Sequence, residues 1–328
     1  MSGTTKEKVL QALLALPQEA YVSGEQLAAA CGISRTAIWK AIQTLEQDGY
    51  DIESVRKKGY RLASPVDFVD RAHIAQHLQT KHIGQVIHYY KEVTSTQIIA
   101  SDLVQQHTPH GTVVIAEAQT AGRGRMAREW DSAAGKGIWM TIILRPDLPP
   151  HQAPQFTLVA AVAVVNAMKS LYPTITPEIK WPNDILINGK KTTGILTEMI
   201  AEADRVQALL VGIGINVNQQ QEHFPEELQP IATSLRMEAG EVLDRAALIA
   251  EICRYMENYS EQYVTYGFSR LKTLWEEASG TIGKNIRATT LREVLEGTAI
   301  GITEDGVLQL RLANGDVRGI YSADIELT

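Results

Sequence analysis

The sequence predicts an α+β chain in three parts: a winged helix-turn-helix head, a central domain on a mixed sheet, and a small β-barrel tail. Three observations predict it. Residues 6–45 repeat apolar side chains at helical spacing and run into a short basic hairpin. Residues 86–218 alternate strand and helix patterns, with Asn188-Gly189 as a tight turn between two strands. Beyond about residue 282, short strands are separated by Asp305-Gly306 and Asn314-Gly315. The expected divisions are 1–63, 64–275 and 276–328.

Composition bounds the reading. With 328 residues, 45% hydrophobic and 21% charged, the chain fills ordinary globular cores. Cys31 and Cys253 stand far apart, without CxxC spacing, so neither a disulfide framework nor a zinc site is supported, and a reducing, cytoplasmic setting is expected. No signal-peptide pattern opens the sequence, and the apolar run 156–168 reads as a buried helix too short to span a bilayer. Net charge is -7, which excludes a protein that coats nucleic acid indiscriminately. Residues 1–62 nevertheless hold eight Lys and Arg against seven Asp and Glu, so any DNA contact is local.

In the head, Val9, Leu10, Leu13 and Leu14 give one helix a buried face, and Pro17 ends it. Ser23 is placed to cap a second helix, Gly32 breaks it, and Ser34 caps a third whose inner stripe is Ile38, Ala41, Ile42 and Leu45. That third helix exposes Arg35, Thr36 and Lys40 near the end that meets base edges in helix-turn-helix proteins. A hairpin around Arg56-Lys57-Lys58-Gly59 suits phosphate contacts. The head, residues 23–62, is thus a candidate operator-DNA binder, with Ser34, Arg35, Thr36, Lys40, Lys57 and Lys58 as its contacts; a purely structural module is the alternative. Trp39 reads as core rather than contact, and residues 63–70, with Ser64-Pro65, as a linker.

The central domain is expected to hold strands at 87–90, 112–116, 138–144, 184–187, 194–199 and 208–215, and helices at 97–106 and 154–171. Its most informative run is Gln119-Thr-Ala-Gly122-Arg123-Gly124-Arg125-Met126-Ala127-Arg128-Glu129-Trp130. Glycines let backbone amides approach an anion, and the interleaved arginines offer planar donors to carboxylate and phosphate oxygens. Gly122-x-Gly124-x-x-Ala127 also meets a loose dinucleotide fingerprint, but such a motif needs no arginines and no acidic partner follows at a strand end. Downstream lie Lys180-Trp181-Pro182-Asn183-Asp184 and then Lys191 before Thr192-Thr193-Gly194. A lysine beside an arginine loop can neutralise charge building on a transferred group; an exposed hairpin lysine is the plain alternative.

These motifs, with Ser95-Thr96-Gln97 and Gly212-Ile213-Gly214-Ile215-Asn216-Val217-Asn218, resemble the bacterial biotin-protein ligases that double as biotin operon repressors, across essentially the whole chain. The resemblance implies a class II synthetase-like catalytic domain, an SH3-like C-terminal barrel and biotin-[acetyl-CoA-carboxylase] ligase activity. Biotin and ATP, with Mg2+, give biotinyl-5'-AMP, and a lysine of biotin carboxyl carrier protein then takes the biotinyl group. By matching positions, Ser95, Thr96, Gln97, Gln119, Arg123, Gly124, Arg125 and Lys191 meet biotin. Trp130, Lys180, Asn183, Asp184 and Asn216 meet ATP, and Lys191, Arg123 and Arg125 carry the catalysis; no metal ligand is assigned. The resemblance also implies an adenylate-dependent homodimer on operator DNA and no membrane. Many family members have Arg-Gly where this chain has Met126-Ala127. A glycine needed at 127 for positive φ would leave Ala127 strained. Alternatives are a ligase whose head no longer binds DNA, a biotin-sensing regulator without ligase activity, and octanoyl or lipoyl transfer on a related fold.

Overall fold

The fold is that of a computed structural model, which describes residues 4–17, 20–47, 50, 52–56, 58–62, 67, 69–202 and 205–327. Two compact units emerge, Met1–His77 and Leu78–Thr328.

The first unit holds α1 (Thr5–Leu14), α2 (Gly24–Cys31), α3 (Arg35–Gln47), a hairpin of β1 (Ile52–Val55) and β2 (Gly59–Leu62), and α4 (Arg71–His77). Helix α2 begins with a capping box between Ser23 and Gln26 and ends at Gly32, whose φ of 67° is the left-handed turn that lets α3 start at once. Ser34 Oγ accepts from the Ala37 amide at 3.2 Å, capping α3. The predicted stripe Ile38, Ala41, Ile42 and Leu45 joins Val9, Leu10, Leu13 and Leu27 in one core. Tyr60 exchanges two 2.9 Å backbone hydrogen bonds with Val22, anchoring the wing beside α2. Ala72 of α4 packs into the same core, so this unit runs past the expected boundary at residue 63. Most of the expected linker, and Lys57, lie outside the described residues.

The second unit is built on β3 (Ile87–Val93), β4 (Thr112–Gln119), β5 (Gly137–Leu144), β6 (Glu178–Lys180), β7 (Asp184–Ile187), β8 (Lys190–Glu202) and β9 (Arg205–Asn216). Their order is β3-β4-β5-β9-β8-β7-β6; β3 and β4 are parallel and every other pair is antiparallel, the mixed sheet expected. Asn188 and Gly189 both take positive φ, 51° and 78°, as a two-residue hairpin requires. Helix α5 (Thr96–Gln105) follows β3 and packs on β4, β5 and β9; α6 (Gln155–Leu171), which packs against α8 (Arg245–Tyr266) and α9 (Ser269–Glu277), and the short α7 (Leu235–Ala239) complete the helices of this unit. The helical stretch Pro150–Leu171 is, by length and composition, long enough to cross a membrane, longer than the 156–168 run suggested. Its apolar side chains are packed inside the protein, from Phe156 through Met168, so burial rather than lipid accounts for its composition.

The tail forms a five-stranded antiparallel sheet from β10 (Asn285–Thr289), β11 (Val294–Ile302), β12 (Leu308–Arg311), β13 (Val317–Ile320) and β14 (Asp324–Leu327), ordered β13-β12-β11-β10-β14. It is pinned to the central layer by its Glu304–Gly306 turn: Gln155 Nε2 donates to the Glu304 carbonyl at 2.9 Å and Trp181 Nε1 to the Gly306 carbonyl at 3.2 Å.

Candidate active site

The central sheet, the start of α5 and the Gly122–Trp130 segment enclose one cavity. Its lining includes Ser95, Thr96, Gln97, Gln119, Arg123, Gly124, Arg125, Trp130, Asn183, Asp184 and Lys191. Residues nearly a hundred positions apart are thus brought together. Lys180 and Asn216 are not in the lining: Lys180 sits half-buried on β6, and Asn216 is buried, donating to the Thr233 carbonyl at 3.2 Å and accepting from Gln219 Nε2 at 3.2 Å. The run around Lys180 drew Asn183 and Asp184 into the site. Lys180 is the cross-strand partner of Asp184 and shares its face of the sheet, but it stands on the edge strand β6, one strand beyond the residues that reach the cavity.

One wall is a network of neutral polar groups. Ser95 caps α5, its Oγ accepting from the Gln97 amide at 3.3 Å. Gln119 Oε1 accepts from the Thr96 amide at 2.8 Å and hydroxyl at 3.1 Å, while its Nε2 donates to Ser132 Oγ at 2.9 Å. Thr141 Oγ1 donates to Thr96 Oγ1 at 2.9 Å. These buried, mutually oriented donors and acceptors suit a neutral polar ligand that needs directional hydrogen bonds.

The opposite wall is cationic. Arg125 Nη1 donates to Asn183 Oδ1 at 3.0 Å and Nη2 to Ser322 Oγ at 2.9 Å. Burial pulls its pKa down, opposed by Asp184 and Asp324, and a guanidinium stays charged throughout the working range. Lys191 Nζ lies 2.7 Å from Asp184 Oδ1 and 5.3 Å from the Trp130 ring centroid. Arg128 pairs with Asp324 of β14. Arg128 and Asp324 also line the cavity; the acid comes from the last strand, where no local pattern marks it.

Glycines make the room. A Cβ on Gly122 would stand 2.4 Å from the Trp130 carbonyl oxygen, so only glycine lets the segment fold back on itself. Gly194 of β8 and Gly214 of β9 are cross-strand partners, and Cβ atoms there would lie 2.8 and 2.5 Å from the Trp130 indole. Trp130 therefore lies flat on a two-glycine floor, edge-on to Trp139 at 6.3 Å, with its Nε1 buried and lacking an acceptor. The expected strain at Ala127 is misplaced by one residue: the positive φ belongs to Met126, at φ 56° and ψ 35°.

Comparison with known proteins fits this geometry. Residues 89–216 match the biotin/lipoate A/B protein ligase family, residues 5–61 an HTH domain, and residues 281–328 the biotin protein ligase C-terminal domain. The bifunctional ligase/repressor BirA of Bacillus subtilis is 49% identical over 324 residues, covering 99% of both chains. This chain belongs to the bifunctional biotin ligase/repressor family. The Escherichia coli bifunctional ligase/repressor is 29% identical over 327 residues, covering 100% of this chain and 98% of that one. Among solved structures, the Aquifex aeolicus biotin protein ligase in complex with biotin and ATP is 28% identical, with a TM-score of 0.64, covering 74% of this chain and 99% of its own. Within this biotin ligase, a neutral polar wall and a cationic wall face a single cavity.

Proposed function

We propose that this biotin ligase forms biotinyl-5'-AMP from biotin and ATP and passes the biotinyl group to a lysine of a biotin carboxyl carrier protein. The observation that carries it is the convergence of Arg123, Arg125 and Lys191 with Ser95, Thr96 and Gln119 in one cavity. The biotin carboxylate attacks the α-phosphate and pyrophosphate leaves; the acceptor amine then attacks the acyl carbon and AMP leaves. Each step concentrates negative charge on oxygens, so positioning and electrostatic stabilisation suffice, without a covalent enzyme nucleophile. Ser95, Thr96, Gln97 and Gln119 orient the ureido ring; Arg123, the Gly124 amide, Arg125 and Lys191 hold the carboxylate and phosphate. Trp130, Asn183 and Asp184 surround the nucleotide, with Lys180 and Asn216 supporting from outside the cavity.

Mg2+ fits as part of the nucleotide substrate. Among the described residues no cluster of three or more His, Cys, Asp or Glu side chains is poised to hold a metal. Mg2+ at nucleotide sites needs only one or two carboxylates besides phosphates and waters, and Asp184 is among the carboxylates that line the cavity. Its role would be to neutralise phosphate charge.

The head, by the same proposal, binds a two-fold operator through Ser34, Arg35, Thr36, Lys40, Lys57 and Lys58 when the adenylate-bound protein has dimerised in the cytoplasm. Functionally the division is 1–63 for DNA, 64–275 for catalysis and 276–328 for the cap. Incubation with biotin, Mg·ATP and a biotin carboxyl carrier domain, followed by mass analysis, is expected to show the acceptor gaining one biotinyl group; an unchanged acceptor mass refutes the ligase reading.

A further inference from the structure

Trp39 departs from the expectation that it is core: it is 51% exposed. On α3, at roughly 100° per residue, Arg35, Trp39, Gln43, Thr36 and Lys40 follow one another around an arc of about 140°. All five are exposed, and the core residues Ile38, Ala41, Ile42 and Leu45 occupy the opposite face. Trp39 is therefore inside the outward-facing stripe of the helix, between two candidate base-contacting positions. It also lines a groove between α3 and the wing, together with Arg35, Thr36, Ser54 and Arg56.

An indole left half in water among cations and hydroxyls leaves half of its apolar surface unused by the fold. Its surroundings specify what would cover it. Arg35, Lys40, Arg56 and Lys58 are exposed around the groove and call for a polyanion. A major groove offers a polyanion's phosphates at its rim and, on its floor, the thymine 5-methyl as its apolar group. We propose that Trp39 is a specificity-determining residue that reads a thymine methyl in each operator half-site by apolar contact. The inference rests on the reading of the head as an operator binder. It assigns base discrimination to Trp39, while Lys58 and Arg56 contribute phosphate contacts that carry no sequence information.

The test uses the full chain with biotin and Mg·ATP. A duplex site is first selected from a random DNA pool, and its thymines are then replaced singly by uracil, which removes only the methyl. At one thymine per half-site, uracil is expected to weaken binding on the order of tenfold for the parent protein and to have no effect on Trp39→Ala. Trp39→Phe, which keeps an apolar ring, is expected to retain part of the discrimination. The slope of affinity against salt is expected to match the parent in both variants, because no phosphate contact is lost. Uracil penalties that are equal in parent and Trp39→Ala, or a selected site at which no thymine methyl matters, overturn the proposal while leaving operator binding intact. Selection of no sequence at all overturns both. Thermal unfolding of each variant checks that the head is folded, and Trp39→Phe decides the matter if Trp39→Ala is not.

Discussion

Met126 occupies the left-handed region with a long side chain that is 59% exposed, so its conformation is enforced by the loop and not rewarded by packing. A non-glycine residue there costs on the order of 1 kcal/mol. Provided the loop keeps this conformation around bound adenylate, Met126→Asn, which tolerates positive φ, is expected to slow biotinyl-5'-AMP dissociation roughly fivefold, while Ala127→Gly is expected to slow nothing. Stopped-flow release rates distinguish the two, and equal rates for parent and Met126→Asn would show that the bound loop is unstrained. Sequence reading identified the unusual dipeptide but not which member bears the strain, because a one-residue shift in a turn leaves composition unchanged. At Lys191, replacement by Gln removes the amine that lies 2.7 Å from Asp184 Oδ1. Loss of such an electrostatic stabiliser typically costs about 10²–10³ in rate. Lys191→Gln is expected to lower adenylate formation by that factor, read as biotin-dependent pyrophosphate release.

Paired glycines on neighbouring strands create the flat floor under Trp130, an effect of element register that neither residue carries alone. Gly214→Ala would place a methyl 2.5 Å from the indole nitrogen. The indole must then leave the floor. Tryptophan emission is expected to shift red, and the KM for ATP to rise on the order of tenfold, with the far-ultraviolet circular dichroism unchanged. An unaltered KM would mean that the floor does not meet the ligand. A second element-level device is buried: Arg245, at the start of α8 and 2% exposed, donates to Glu117 Oε2 of β4 at 3.1 Å and to the Gly137 carbonyl at 3.0 Å. Removing one partner of a buried ion pair leaves the other uncompensated, at about 3–5 kcal/mol. Arg245→Met is expected to lower the denaturation free energy by that amount, measured in urea. The strands were legible because apolar runs, the Asn188-Gly189 turn and glycine breaks are local signals. Strand β6, three residues long, offered no period to read, and the Glu117–Arg245 pair spans 128 positions.

Across the whole molecule, the catalytic motifs were legible because ligand chemistry concentrates arginine, glycine and lysine in short runs. Asp324 was not, since its relation to Arg128 exists only after the tail sheet docks beside the arginine loop. Lys180 and Asn216 show the converse: adjacency in sequence placed them near the site, but Lys180 stands on the edge strand β6 and the Asn216 side chain is taken up by Thr233 and Gln219. Any coupling between catalysis and DNA binding would be a property of the entire chain. Linkage requires that any factor by which biotin and Mg·ATP tighten operator binding equal the factor by which the operator tightens adenylate binding. A tenfold effect corresponds to about 1.4 kcal/mol shared between the sites. Operator affinity measured with and without the two substrates is expected to rise on the order of tenfold, and the adenylate dissociation constant measured with and without operator is expected to fall by the same ratio. Arg35→Ala should weaken the operator complex without altering transfer of biotin to the acceptor, because Arg35 belongs to the first compact unit and the cavity to the second. Equal DNA affinity in the presence and absence of substrates, with full ligase activity, would show a head that binds DNA without reporting on the site.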